Sequence, residues 1–173
     1  MIRKWTPESD TPKPGEAGVD YHTVKSWFQR CRDLAAAVEA QRQKIDHIRE
    51  ISEKTTPNMT GMPGGSGAGD KIGNAVVDIV DEQQTLQRME TDLCNLRVEA
   101  TRRAYCISGA KSSKRQADCL CLFYVHGKKQ REICAELGLS EDNQVSIYIR
   151  WGCIHLAKIW GTFDAELQVT DMV

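Results

Sequence analysis

The chain of 173 residues has no long hydrophobic run, few aromatic residues and no excess of charge of either sign. No apolar stretch approaches the roughly 18 residues of a membrane-spanning helix. The N-terminal segment MIRKWTPESD lacks the apolar core of a signal peptide. We therefore expect a cytoplasmic protein with no membrane partner. Lys and Arg number 23 and Asp and Glu 24, so total charge does not indicate a nucleic-acid partner.

Residues that could form a catalytic or metal centre are scattered along the chain. The four histidines fall in four separate segments, at His22, His47, His126 and His155. Because catalysis needs converging groups, we predict that the protein is not an enzyme and needs no cofactor. Only one residue separates Cys119 from Cys121 near His126, whereas zinc sites favour a spacing of two to four, so no metal site is predicted.

The seven cysteines are odd in number and irregularly spaced, which does not fit a disulfide framework. We expect reduced thiols that fill core positions. These are Cys31, Cys94, Cys106, Cys119, Cys121, Cys134 and Cys153.

The five prolines cluster in two polar segments that interrupt the helical pattern. Residues 1–20 contain three of them and are predicted to be a flexible N-terminal arm. Residues 55–69, TTPNMTGMPGGSGAG, contain the other two with five glycines and are predicted to be a loop. Asp70 is then positioned to cap the following helix.

On either side of this loop, apolar residues recur at steps of three and four, which is typical of amphipathic helices. The first series is Val24, Trp27, Cys31, Leu34, Val38, Ile45 and Ile48, and the second is Ile72, Val76, Ile79, Leu86, Met89, Leu93, Leu96 and Ala100. Residues 21–106 are therefore predicted to form a long antiparallel, coiled-coil-like helical hairpin. Its remaining apolar surface could form a homodimer or pack on the C-terminal helices, and the sequence leaves both open.

Residues 111–161 are predicted to form three further helices, and residues 162–173 an acidic tail. Basic residues outnumber acidic ones by 8 to 5 in 111–160, while 161–173 hold three acidic residues and no basic one. The first helix begins near Ser112 or Ser113 and ends at Gly127, and the second runs from Lys128 to Leu137 before Gly138. No strand-like alternation is present, so the fold class is all-α.

The last two of these helices have the pattern of a helix-turn-helix, which needs a small residue, a turn glycine and apolar residues that pin both helices. Cys134, Gly138, Leu139 and Val145 meet these needs, and Ser140 is the expected N-cap of the last helix. The predicted core stripe of that helix is Val145, Ile149, Gly152, Cys153, Leu156 and Trp160.

The opposite face of the last helix is predicted to contact double-stranded DNA. Asn and Gln can pair bidentately with adenine and Arg with guanine in the major groove. The candidates for base readout are Asn143, Gln144, Ser146 and Arg150. The candidates for phosphate contacts are Lys111, Lys114, Arg115, Lys128, Lys129 and Arg131.

The run REICAELGLSEDNQVSIYIRWGCIHLAKI resembles region 4 of bacterial sigma factors. The matching positions are Glu132, Ile133, Leu137, Gly138, Leu139 and Ser140. Cys134 replaces the usual alanine, and one extra residue lies between Gly138 and Val145. With its upstream helices, the chain resembles, over roughly residues 21–160, a family of Firmicute phage and prophage proteins that is similar to phage transcription regulators of the ArpU and RinA type.

The resemblance implies a sequence-specific DNA-binding regulator of phage or prophage transcription. One alternative is a phage DNA-packaging protein like a small terminase subunit, which also combines a helix-turn-helix with helical oligomerisation. Another is a helical interaction module that contacts RNA polymerase or another regulator without binding DNA.

Overall fold

The computed structural model describes residues 19–55, 68–108 and 112–170, and this part of the chain is all-α, with no strand. The helices are α1 (Tyr21–Thr55), α2 (Ala68–Ala104), α3 (Ser113–Leu120), α4 (Gln130–Leu137) and α5 (Asp142–Thr170), with a π-helical turn at Cys121–Val125 directly after α3. The predicted all-α class is therefore confirmed. Most of the predicted arm 1–20 and of the loop 55–69, and the candidate Lys111, lie outside the described residues.

Three helix ends differ from the predicted boundaries. Because α2 begins at Ala68, Asp70 lies inside its first turn and is not the residue that precedes it. Because α5 continues through Gly161 to Thr170, most of the segment predicted as an acidic tail, 162–173, is helical. α4 begins at Gln130, two residues later than predicted.

Contacts between residues divide the chain into two compact units. One unit is Arg30–Glu99, and the other joins the chain up to Gln29 to the chain from Ala100 onwards. α1 and α2 each contribute residues to both units. The N-terminal part of α1 and the C-terminal end of α2 thus belong to the same unit as α3, α4 and α5.

Within the unit Arg30–Glu99, side chains of α1 and α2 are joined by polar contacts. Arg42 Nη2 donates to Glu90 Oε1 over 2.6 Å, and Lys44 Nζ donates to Glu82 Oε1 over 2.6 Å. Gln41 also donates to the Glu82 carboxylate. The hydrogen bond from Lys44 is the largest cause that lowers the pKa of Glu82, and the hydrogen bond from Gln41 is the next. Exposed pairs of this kind add little stability, so the buried residues Cys31, Val38, Ile45 and Leu93 contribute more.

The core of the other unit is rich in aromatic rings. Phe28 of α1 is fully buried, and its ring centroid lies 5.8 Å from that of Tyr124 and 6.3 Å from that of Trp160. Trp27 lies edge-on to Trp160 at 5.3 Å. The sequence pattern placed Trp27 in the hairpin seam, but its ring packs against Trp160 of α5.

A buried cation lies among these rings. Arg103 is 4% exposed, and its guanidinium carbon lies 4.5 Å from the ring centroid of Trp27, 4.7 Å from that of Trp160 and 5.1 Å from that of Phe163. The planar guanidinium is attracted to the negative faces of aromatic rings. Arg103 thereby joins the end of α2 to α5 within this unit.

A hydrogen bond ties the residue after α2 to α3. Tyr105 Oη donates to Asp118 Oδ1 over 2.7 Å. This hydrogen bond, with burial and the charge of Asp118, raises the pKa of Tyr105 from 10.0 to about 12. Because the folded protein holds the phenol proton more tightly, the stabilisation is complete below pH 10 and is lost as the pH rises from 10 to about 12.

We predict that titration of phenolate absorbance detects a tyrosine with a midpoint near pH 12, and that Tyr105→Phe removes it. In Asp118→Asn the acceptor has no charge, so the midpoint moves down towards 10.0. If the absorbance change near pH 12 were the same in Tyr105→Phe as in the wild type, the assignment of that titration to Tyr105 would be wrong.

Candidate nucleic-acid interface

Two glycines in the left-handed conformation flank α4: Gly127 follows the π-helical turn at Cys121–Val125, and Gly138 directly follows Leu137, the last residue of α4. Gly127 has φ 69° and Gly138 has φ 62°, a region that costs an L side chain about 1 kcal/mol or more. The backbone N–H of Lys129 donates to the Glu132 carboxylate over 2.8 Å at the start of α4. At its end the Leu139 N–H donates to the Cys134 carbonyl over 2.9 Å. α4 is therefore a short helix with both ends stopped by local hydrogen bonds and backbone geometry.

A turn of four residues, 138–141, leads from α4 into α5, and buried residues hold the two helices together. Ile133 and Val145 are fully buried, and Cys134 and Ile149 nearly so. Ser146 Oγ of α5 also donates to Gln130 Oε1 of α4 over 3.1 Å.

The start of α5 differs from the prediction at Ser140. The helix begins at Asp142, and the Gln144 N–H donates to the Glu141 carbonyl, so Ser140 lies one residue too early to be the N-cap. The carboxylate of Asp142, in the first turn, is favourable to the positive end of the helix dipole.

α3 crosses α5 at Gly152. A Cβ atom added there would lie 2.7 Å from Leu120 Cδ1 and 3.3 Å from Leu120 Cγ, and Leu120 is fully buried. The predicted core stripe of α5 is buried along its whole length. Only the missing side chain of Gly152 allows the two helices to approach so closely.

A chain of polar side chains lies beside this crossing. Gln116 is 3% exposed, its Nε2 donates to Ser112 Oγ over 2.9 Å, and its Oε1 accepts from His155 Nδ1 over 2.7 Å. Ser112, which was predicted to cap α3, makes no side-chain cap bond and instead accepts from Gln116. These three residues line one side of an open groove of about 420 Å³ between α3 and α5.

The predicted base-readout residues do not all lie on one surface. Asn143, Ser146 and Arg150 are exposed along one side of α5. Gln144 is half-buried and lines the groove on the other side. The guanidinium of Arg150 lies 5.9 Å from the ring centroid of Tyr21 at the start of α1.

The centre of this outward face is apolar, and its apolar residues are not among the candidates for base readout. Ile147 is 51% exposed and lies between the two polar sides. Tyr148 and Trp151 line the groove with it. A helical-wheel projection of α5 contains this signal, because Ile147 and Trp151 fall opposite the buried stripe.

The basic candidates surround the α4–α5 pair unevenly. Lys114 and Arg115 are exposed on α3, and Lys129 and Arg131 are exposed at the start of α4. Lys128, in contrast, forms an ion pair with Glu136. A phosphate would have to compete with that carboxylate for the Lys128 ammonium group.

Five of the seven cysteines are buried as predicted, but Cys94 and Cys106 are exposed. All seven are free thiols. Burial raises the pKa of Cys119 to about 11 and that of Cys153 to about 12. A thiol with so high a pKa is a poor nucleophile and a poor metal ligand at neutral pH.

Across residues 19–55, 68–108 and 112–170, no group of three or more His, Cys, Asp or Glu side chains is arranged to hold a metal ion. Within the same ranges, no helix has both the length and the apolar character that a bilayer span requires. Comparison of the chain with protein-family models, with curated proteins and with solved structures found no match.

Proposed function

We propose that the protein is a sequence-specific double-stranded DNA-binding regulator of phage or prophage transcription. The observation that carries the proposal is the pair α4 and α5, which are joined by a short glycine turn and pinned by Ile133 and Val145, with the polar start of α5 facing outwards. In helix-turn-helix proteins the start of the second helix enters the major groove. The pair has the parts that this mode of binding needs.

In this proposal the outward face of α5 reads bases with two kinds of contact. Asn143 and Arg150 supply hydrogen bonds to adenine and guanine edges, and Ser146 can donate or accept. Ile147 supplies an apolar surface that fits the C5-methyl group of thymine. The buried core stripe on the other side of α5 keeps this face in place.

Phosphate contacts are proposed for Lys114 and Arg115 of α3 and for Lys129 and Arg131 at the start of α4. These side chains are exposed and lie on the two helices that pack against α5. Lys128 is a weaker candidate because it pairs with Glu136. Contact with RNA polymerase and the absence of enzymatic activity remain predictions from the sequence.

The proposal predicts two different responses to substitution. Arg150→Ala with Asn143→Ala should weaken binding to a selected duplex by about 10–100-fold and weaken binding to unrelated duplexes little, because base contacts carry specificity. Arg115→Ala with Lys129→Ala should weaken binding to all duplexes. It should also reduce the slope of log affinity against log salt concentration by the amount expected for about two lost phosphate contacts. Lys158→Ala, an exposed cation farther along α5, is the control.

Fluorescence anisotropy against a duplex enriched from a random library, measured at several salt concentrations, provides these values. The proposal fails if the purified protein shows no salt-sensitive binding to any duplex. A ring-shaped oligomer in light scattering would instead favour the packaging function.

A further inference from the structure

α2 carries a second seam of side chains on its exposed surface. Its positions follow one another at steps of three and four residues, as in a coiled coil. They are Val77, Val80, Gln84, Gln87, Thr91, Cys94 and Val98. All seven are exposed, and all seven are uncharged, whereas one in three of the side chains from residue 76 to 99 is charged.

This exposed stripe is distinct from the side of α2 that is turned inwards within the unit Arg30–Glu99. Leu93 is 7% exposed, and Ile79 and Leu86 are half-buried. Val77 and Val98, in contrast, are 58% and 65% exposed. Val76 and Val80, next to Val77, are 55% and 45% exposed, so three neighbouring valines form one exposed apolar patch, which indicates an interaction surface.

We propose that the exposed stripe of α2 pairs with the same stripe of a second copy of this chain, in the antiparallel direction. The spacing of three and four residues fits another helix better than an extended segment or a flat surface. Seam positions between paired helices must be free of unpaired charge, because a charge buried there loses its hydration. The absence of charge from all seven positions meets this condition.

The antiparallel direction follows from the side chains that flank the stripe. With two copies antiparallel, one register places Val77 opposite Cys94, Val80 opposite Thr91, and Gln84 opposite Gln87. The same register brings Asp81 of each copy beside Arg88 of the other, and both side chains are exposed. Opposite charges at flanking positions determine pairing and direction in coiled coils.

The polar middle of the stripe also suits this pairing. Gln84, Gln87 and Thr91 line an open groove of about 410 Å³ together with Arg88 and Asp92. The amide of a glutamine can both donate and accept, so two facing Gln84–Gln87 layers satisfy each other. From Val77 to Cys94 the stripe is about 26 Å long, which is a short seam, so we expect a weak, reversible dimer.

Two matched threonines test the surface. Thr91 lies in the stripe and Thr85 lies outside it, and both are exposed and donate to the backbone carbonyl four residues earlier. In sedimentation equilibrium of the DNA-free chain, Thr91→Glu should raise the dimer Kd at least about tenfold, and Thr85→Glu less than about twofold. Equal effects of the two variants, or a wild-type chain that stays monomeric at all concentrations, would overturn the proposal.

Charge reversal tests the partner and the direction. Asp81→Arg should weaken its own homodimer, because positions 81 and 88 are then both basic and meet across the seam. Arg88→Asp should do the same, because both positions are then acidic. An equal mixture of the two variants should form a heterodimer several-fold tighter than either homodimer, because one chain then supplies only cations and the other only anions.

A mixture that associates no better than the separate variants would overturn the antiparallel pairing. A parallel dimer would place Arg88 of one copy level with Arg88 of the other, so the contact between positions 81 and 88 on which the heterodimer depends would not form. The same sedimentation measurement, made on each variant alone and on the mixture, distinguishes these results.

The exposed stripe of α2 gives the contact residues of a homodimer, which the sequence left open. Formation of this dimer does not depend on DNA binding. Both measurements are made without DNA. A failure of the dimer therefore leaves the proposed regulator function standing, and a failure to bind DNA leaves the dimer standing.

Discussion

We expect Gly152→Ala to lower the free energy of unfolding by about 1–2 kcal/mol, although alanine is the better helix former. The added Cβ would lie 2.7 Å from Leu120 Cδ1 and 3.3 Å from Leu120 Cγ. The side chain of Leu120, the last residue of α3, is fully buried, so moving it away from the added Cβ displaces other core atoms. Overpacking costs about 1–3 kcal/mol, and a contact of 2.7 Å with a fully buried side chain belongs to the upper part of this range, which exceeds the gain of about 1 kcal/mol from helix propensity. Gly152→Leu should lower stability by about 3 kcal/mol or more.

Gly161 of the same helix is the matched control for this prediction. A Cβ added at Gly161 has nothing within 4 Å, so Gly161→Ala should raise stability by about 0.5–1 kcal/mol. Urea denaturation followed by tryptophan fluorescence gives both values. Leu120→Val should relieve part of the cost of Gly152→Ala, as positive coupling in a double-mutant cycle. If the two alanine variants were equally stable, the close approach of α3 and α5 at Gly152 would be wrong.

Arg103→Ala is expected to cost about 3 kcal/mol, which is large for an arginine. Its guanidinium lies within 5.1 Å of three ring centroids, those of Trp27, Trp160 and Phe163, and it is 4% exposed. Each desolvated cation–π contact contributes roughly 0.5–2 kcal/mol, and truncation also leaves a cavity among the rings. The emission of the tryptophans should change in the native state, because Trp27 and Trp160 both contact the lost group.

Arg103→Met separates the two causes, since methionine retains much of the volume without the charge. We expect Arg103→Met to fall between the wild type and Arg103→Ala, and Arg103→Lys to lose the planar stacking. The adjacent Arg102 is exposed, so Arg102→Ala should change stability by less than about 0.5 kcal/mol. A loss at Arg102 as large as that at Arg103 would show that the rings do not hold the guanidinium.

Several features of the site could be predicted because they depend on neighbours along the chain. Gly127 and Gly138 end helices in the left-handed conformation as predicted, since few other residues adopt it at low cost. The core stripe from Val145 to Trp160 is buried as predicted, since apolar side chains three or four residues apart share one helix face. The π-helical turn at Cys121–Val125 has no such local signal.

Other features depend on how the folded chain packs and where each helix begins, and could not be read from spacing. The exposed seam of α2 contains the polar residues Gln84, Gln87 and Thr91, and only their exposure shows which side of the helix is uncovered. Lys128 has the charge that phosphate binding needs, but its side chain pairs with Glu136, eight residues further along the chain. Ser140 has the side chain of an N-cap, but α5 begins one residue too late to use it.

Local patterns in the amino-acid sequence were sufficient to establish that the described chain is all-α, that α4 ends just before Gly138, and which stripe of α5 faces the core. These features follow from helix periodicity and from backbone sterics, both of which act over a few residues. Only the folded structure places Arg103 among three rings and seats Leu120 against Gly152. These contacts are made by side chains from α1, α2, α3 and α5. No local sequence pattern indicates which distant residue packs against a given side chain.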